Sequence, residues 1–197
     1  MALKSYLNEN LIEAGIDEAG RGSLAGPVFA SAVILPKDFT SELIKDSKKL
    51  SKKNRYKAFE IIKENAISWS VSFVDAEDID KYNILRATFG AMNNAISKLN
   101  IEPEHILVDG NIFDSFSDIP YTCVVKGDNE YLSIAAASII AKIHRDEYME
   151  NIHEKFPLYN WKKNKGYGSK EHINIIKEDG ITYYHRKTFL NKILVSA

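Results

Sequence analysis

Ten consecutive residues, Ile134-Ala135-Ala136-Ala137-Ser138-Ile139-Ile140-Ala141-Lys142-Ile143, limit the folds open to this chain more than any other stretch. They sit in the first half of a helical pattern from Glu130 to about Glu154, and their side chains are too small and apolar for an exposed helix. Ala135, Ala136, Ala137 and Ser138 suit a helix that lies close against a sheet. Sheet-forming segments flank it. Ile12 to Asp17 and Val28 to Leu35 read as strands joined by a glycine-rich turn, in the manner of a hairpin, and Ile67 to Val74 alternates like a third strand. His105 to Asp109 and Tyr121 to Val125 read as two short buried strands. Between them, Ser51 caps a helix through Tyr56, Phe59 and Ile62, and Asn83 to Leu99 repeats Leu85, Phe89, Met92, Ile96 and Leu99 at steps of four and three. Pro157 and the polar stretch around Asn164 mark a loop, followed by a helix from Ser169 to Glu178 and a short tail helix. The expected fold is α/β with a mixed sheet that opens antiparallel.

Composition narrows the function. A chain of 197 residues, 45% hydrophobic and 27% charged, suits one domain spanning 1–197. No apolar run approaches the roughly 20 residues of a membrane span, and the N-terminus lacks the apolar stretch of a signal peptide, so no membrane association and a cytoplasmic location are expected. The single cysteine, Cys123, excludes an internal disulfide and a cysteine-rich zinc site, and its strand-like flanks favour an inert buried thiol over a nucleophile. A net charge of −1 argues weakly against nucleic acid, yet setting four carboxylates aside as metal ligands leaves +3. Lys48, Lys49, Lys52, Lys53 and Arg55 form one basic cluster, and Lys162, Lys163, Lys165 and Lys170 another; each reads equally as a solvated face or as a phosphate contact.

The chemistry lies where strands end. Asp17 and Glu18 run into Gly20-Arg21-Gly22, Asp109 runs into Gly110, and the strand ending at Val125 leads through Lys126-Gly127 to Asp128. Taken singly, each has a bland reading: a solvated turn for the first pair, a helix cap or first-turn acid for Asp128. Three strand ends with the same acid-and-glycine pattern instead suggest an oxygen-ligand site for hard divalent cations. Successive strand residues face opposite ways, so the glycine turn is expected to bend the backbone at Asp17 and Glu18. Gly20-Arg21-Gly22-Ser23-Leu24-Ala25 also fits the loose dinucleotide fingerprint, but a strand rather than a helix follows it and two acids precede it, which argues against a nicotinamide or flavin.

The stretches GIDEAGRGSLAGPV, DSKKLS, ILVDGN, VVKGDNEYLSIAAASIIAKIHRDEYM and NKGYGSKEH, in this order and at these separations, resemble the ribonuclease HII family over nearly the whole chain. The resemblance implies a ribonuclease H-like fold, a mixed five-stranded sheet flanked by helices, with a core over about 1–157 and a small helical extension over about 158–197. It implies an endonuclease for the RNA strand of RNA/DNA hybrids that also cuts 5′ of single ribonucleotides embedded in duplex DNA. By position, Asp17, Glu18, Asp109 and Asp128 match the family's metal-binding acids, which hold two divalent cations, Mg2+ or Mn2+. Gly20, Arg21 and Gly22 match the motif whose backbone approaches the ribose 2′-hydroxyl, and Tyr167 matches the tyrosine that packs on the sugar at the junction. Lys48 and Lys49 are expected phosphate contacts. The ribonuclease HIII family differs by an extra N-terminal domain and a lysine where Arg21 stands. Cleavage would leave 3′-hydroxyl and 5′-phosphate ends, with a monomer as the expected state and no histidine needed as base; His144, His172 and His185 read as surface, helix or phosphate-contacting residues. Two alternatives stand beside this: a nuclease of similar acidic core acting on DNA junctions or single strands, and an idle hybrid-binding module whose acids are surface charge.

Overall fold

The computed structural model describes residues 3–45, 47 and 50–194; Lys48 and Lys49 lie outside them. Strand β1 (Glu13–Ala19) is central to the sheet. On one side it pairs antiparallel with β2 (Val28–Ile34), which pairs antiparallel with β3 (Ser68–Val74). On the other it pairs parallel with β4 (His105–Asp109), which pairs parallel with β5 (Tyr121–Val124), for the order β3-β2-β1-β4-β5. The expected mixed sheet is present, with strand ends within two residues of those read from the alternation.

Helices cover both faces. Val28, Ala30 and Ala32 of β2 point into one core with Ile16, Ile106, Val108 and the stripe Phe89, Met92 and Ile96 of α3 (Ile84–Ser97). Val33 points the other way, toward α1 (Lys52–Asn65) and α4 (Leu132–Lys155), where Ala58 and Ile62 meet Ala135, Ala136, Ile139 and Ile140. Each fully buried isoleucine or methionine contributes on the order of 2 kcal/mol over exposure. The alanines contribute less area, and what they provide is proximity. A Cβ placed on Gly15 of β1 would lie 2.2 Å from the carbonyl carbon of Ser133, so backbone meets backbone where α4 crosses the sheet.

The caps follow the expected chemistry. Ser51 accepts from the Asn54 amide at the start of α1, and Asn83 accepts from the Leu85 and Arg86 amides at the start of α3. Asp75 starts a short helix that the pattern did not announce, α2 (Ala76–Tyr82), which buries only Ala76 and Ile79 and therefore shows little periodicity. Three further helices follow: α5 (Trp161–Asn164), inside the stretch expected to be loop, α6 (Lys170–Asp179) and α7 (Lys187–Leu194). They gather with the end of α4 around a third core of Ala25, Met149, Tyr159, Trp161, Ile176 and Leu190. Backbone bonds stitch this region onto the turn after β1: Leu24 N–H donates to Gly166 O at 2.8 Å, Gly26 N–H to Tyr184 O at 2.8 Å, and Arg186 N–H to Leu24 O at 2.9 Å. Among the described residues no helix is long and apolar enough to cross a membrane.

Candidate active site

Register brings two of the acids together. The parallel pairing of β1 with β4 ends at Ile16↔Val108, so Asp17 and Asp109 are the next residues on neighbouring strands, which lie roughly 4.8 Å apart. Asp17 lies on the α4 face of the sheet, two residues on from Gly15, and is 5% exposed. Burial raises its carboxyl well above the usual carboxylate range; the charges of Glu18 and then Asp109 raise it further, while hydrogen bonds from the Ser138 hydroxyl and the Glu18 amide oppose them. Asp109 Oδ1 accepts from the Gly127 amide at 2.7 Å, which draws the 127–129 turn onto the end of β4. Asp128 is buried in that turn, with its Oδ1 accepting from Asn129 Nδ2 at 2.7 Å.

One expectation about these acids needs correction, and one alternative reading falls away. The backbone does not bend at Asp17 and Glu18, because Asp17↔Ser31, Glu18↔Ala30 and Ala19↔Phe29 are consecutive pairs of a regular strand. The bend comes at Gly20, whose φ is +96°, and Glu18 instead reaches the rim of a cleft, where its Oε1 meets Arg21 Nη1 at 3.4 Å. Asp128 does not cap the long helix either: α4 begins after Tyr131, with no side-chain cap and no acid in its first turn. Among the described residues no three acidic, histidine or cysteine side chains stand, as placed, in a group that closes around one ion. What they form is a concentration of like charge on one buried carboxylate, and all the donors are oxygen, which suits hard divalent cations.

The cleft beside the acids has a volume near 420 Å³ and is lined by Glu18, the Gly20-Arg21-Gly22 turn and Tyr167, so the structure places these expected residues together. It adds three residues that sequence reasoning missed, Ser47, Ser138 and Lys142. Ser138 hydrogen-bonds Ser47 Oγ at 3.0 Å as well as the Asp17 carboxylate. Lys142 Nζ meets Asp146 Oδ1 at 2.6 Å and stands 5.9 Å from the Tyr167 ring centre; burial lowers its pKa while Asp146 opposes the shift. The missed signal was a polar stripe. Ser138, Lys142 and Arg145 recur at steps of four and three within an otherwise apolar helix.

Arg145 lies behind the cleft, against Gly20 and Tyr167. It is wholly buried, donates to Pro27 O at 3.2 Å, Ser23 Oγ at 2.8 Å and Lys165 O at 2.9 Å, and stands 5.1 Å from the Tyr167 ring centre. Arg186, also buried, donates to Gly26 O at 2.9 Å and to Arg21 O at 2.8 Å, so the tail of the chain fixes the turn expected to read the substrate. Burial lowers the pKa of both guanidinium groups, Arg186 to about 9 with Arg145 adding to the shift. Of the basic clusters, Arg55 is engaged with Asp146, and Lys52 and Lys165 with Glu150. Of the histidines, His172 stands on helix α6, as one of the expected readings had it, but both it and His185 are buried rather than at the surface, with His172 bonded to the carbonyl of Tyr167 and to His185. Cys123 is half-buried on β5, where burial pushes its thiol pKa up.

The profile of the family described as Ribonuclease HII matches residues 14–192. A protein named Ribonuclease HII from Bacteroides thetaiotaomicron is 57% identical over 187 residues, covering 95% of this chain and 94% of the relative. Among solved structures, the ribonuclease H2 of Pyrococcus horikoshii OT3 superimposes with a TM-score of 0.77 at 26% identity, over 93% of this chain and 97% of that one. The ribonuclease HII solved in complex with PCNA from Archaeoglobus fulgidus gives 0.71 at 28% identity, over 89% and 94%.

Proposed function

The chain belongs to the ribonuclease HII family, endoribonucleases that cut the RNA strand of RNA/DNA hybrids, and from that premise we propose that it also cuts 5′ of single ribonucleotides embedded in duplex DNA. Asp17, Glu18, Asp109 and Asp128 would hold two divalent cations, magnesium or manganese. One observation carries this reading: the register of β1 and β4 sets buried Asp17 beside Asp109, with Glu18 next in the chain, and bound cations would relieve the crowding of charge there. When bound, such ions lower the pKa of a water and stabilise the departing oxygen of an in-line displacement.

The protein's own groups do the rest. Gly22 is the residue of the turn with open space around it, since a Cβ there would meet nothing within 4 Å, and this leaves room for a ribose to approach the main chain. The 2′-hydroxyl is what distinguishes RNA from DNA at such a site. The Tyr167 ring packs on the sugar at the RNA–DNA junction, Arg145 supports that ring from the protein interior, and Lys142 adds positive charge where a phosphate enters. Lys48 and Lys49 add phosphate contacts from the neighbouring segment. The products carry 3′-hydroxyl and 5′-phosphate ends. The proposed state is a monomer.

The test compares three duplexes: all DNA, DNA with one ribonucleotide, and an RNA/DNA hybrid, each with chelator and with magnesium or manganese. Metal-dependent cutting of the second and third, 5′ to the ribonucleotide, is expected. Cutting of the all-DNA duplex, or of the third alone, overturns the proposal, and metal-independent cutting removes the role given to the acids.

A further inference from the structure

His172 and His185 are 0% and 1% exposed, and the chemistry proposed above uses neither. Their partners fix where the protons sit. Trp161 Nε1 can only donate, and it meets His172 Nε2 at 3.1 Å, so that nitrogen carries the lone pair. The proton of His172 is then on Nδ1, which donates to Tyr167 O at 3.0 Å. The Thr182 amide donates to His185 Nδ1 at 3.0 Å, which puts the proton of His185 on Nε2, 3.2 Å from His172 Nε2. Every bond then runs one way, from Thr182 through His185 and His172 to the carbonyl of Tyr167. A second proton on either ring would set N–H against N–H, at Trp161 or at Thr182. Burial lowers the pKa of both rings, His185 to about 4, in keeping with neutral imidazoles.

The end of this relay is the residue that lines the cleft. Tyr167 O accepts two bonds, one from the Ser169 amide at 2.8 Å within its own loop and one from His172 in the core. Leu24 and Arg145 hold the preceding carbonyls of Gly166 and Lys165, but of the two bonds to Tyr167 O only the second reaches outside the loop: His172 is locked between Trp161 and His185, and Tyr159 stands 4.8 Å from the His185 ring centre. We propose that His172, oriented by His185, is a positioning residue that fixes the Tyr167 backbone and so holds its ring at the RNA–DNA junction, which makes the pair determinants of substrate choice. This inference rests on the role given above to Tyr167.

Two substitutions separate the nitrogens. His172→Gln places an amide where Nε2 stood and removes the donor to Tyr167; His172→Asn keeps an N–H near Nδ1. Trp161→Phe removes a different bond of the same core, and His185 still donates to His172 Nε2, so the proton on Nδ1 stays. The readout is kcat/KM on a singly substituted duplex divided by that on a long hybrid, with Tyr167→Ala measured alongside. His172→Gln is expected to lower this ratio about tenfold, as loss of one hydrogen bond of about 1.4 kcal/mol does, and Tyr167→Ala, which keeps the carbonyl but removes the ring, at least as much. His172→Asn should stay within about threefold of wild type, and Trp161→Phe should lower thermal stability without moving the ratio.

A wild-type ratio for His172→Gln beside a fallen ratio for Tyr167→Ala overturns the positioning role alone. An unchanged ratio for Tyr167→Ala overturns the reading of Tyr167 and this inference with it. Equal falls for His172→Gln and Trp161→Phe show general loosening and also overturn it. Should His172→Gln fail to fold, nitrogen NMR of the wild-type enzyme decides: adding uncleaved singly substituted duplex in chelator must shift the His172 ring resonances, and unmoved resonances overturn the proposal.

Discussion

Gly20 and Gly22 stand two residues apart in one turn, and the structure gives them different reasons to be glycine. A Cβ on Gly20 would lie 1.9 Å from Nε of Arg145, and its φ of +96° is one that side chains rarely adopt. Backbone strain of this kind costs about 1–3 kcal/mol. Arg145 cannot move aside cheaply, because it is buried and tethered to Pro27, Ser23 and Lys165, and each hydrogen bond from a charged group is worth about 1.5–3 kcal/mol. Strain plus the loss of one such bond gives roughly 3–6 kcal/mol for Gly20→Ala, a large share of the about 5–15 kcal/mol that holds a typical protein folded. Gly22→Ala meets nothing and should change stability by less than about 0.5 kcal/mol. Its cost should fall on the substrate, as a loss of cleavage at single ribonucleotides of about a hundredfold, from a methyl group placed where the ribose packs. Urea unfolding followed by circular dichroism gives the first quantity and cleavage of the singly substituted duplex the second. A Gly20→Ala penalty under about 1 kcal/mol would refute the reasoning about Arg145; a fully active Gly22→Ala would refute the reasoning about open space.

Asp17→Asn should abolish cleavage and, in chelator, raise the melting temperature, because it removes a buried charge that Glu18 and Asp109 repel. Magnesium should raise the wild-type melting temperature more than that of the variant; a metal-free variant no more stable than wild type would count against the electrostatic account. Acidification probes a different part of the molecule. The folded pKa of His185, near 4, lies below the unfolded value near 6.5, so the unfolded chain binds the extra proton first and stability drains away as pH falls from 6.5 to 4, by up to about 3 kcal/mol. The raised pKa of Asp17 works in the opposite sense, its penalty easing as pH falls, so the informative quantity is the difference between wild type and His185→Gln. Parallel stability curves for the two across that window would show that His185 titrates normally.

Legibility in the sequence varied with the kind of physics involved. Strands β1 to β4 and the helix at 84–97 were readable because burial leaves a continuous run in a strand covered on both faces and a period where one face is open, whereas β5, expected to be a buried strand, has no fully buried residue. The acids stood out as candidates because each is at or just beyond the end of a strand and near a glycine, although the sequence could not say that Asp17 and Asp109 would be neighbours. That follows from the parallel register of β1 with β4, a pairing between residues some ninety positions apart. The partners of Arg145, Arg186, His172 and His185 were opaque for a related reason. A buried polar residue is satisfied by partners such as Pro27 O, Arg21 O and Tyr167 O, which are backbone atoms and carry no signature in the sequence. Local patterns show what an element buries, whereas these four residues matter for what they join.

The tail of the chain reaches across to the beginning: Arg186 donates to the carbonyl of Arg21, and the Leu24 and Gly26 backbones pair with residues 184–186. Acids and discriminating turn are therefore supported by different parts of the polypeptide, the former by strand register and the latter by the last few helices. On the reading proposed above, substitutions among the last helices would change what the enzyme accepts and leave the four acids untouched.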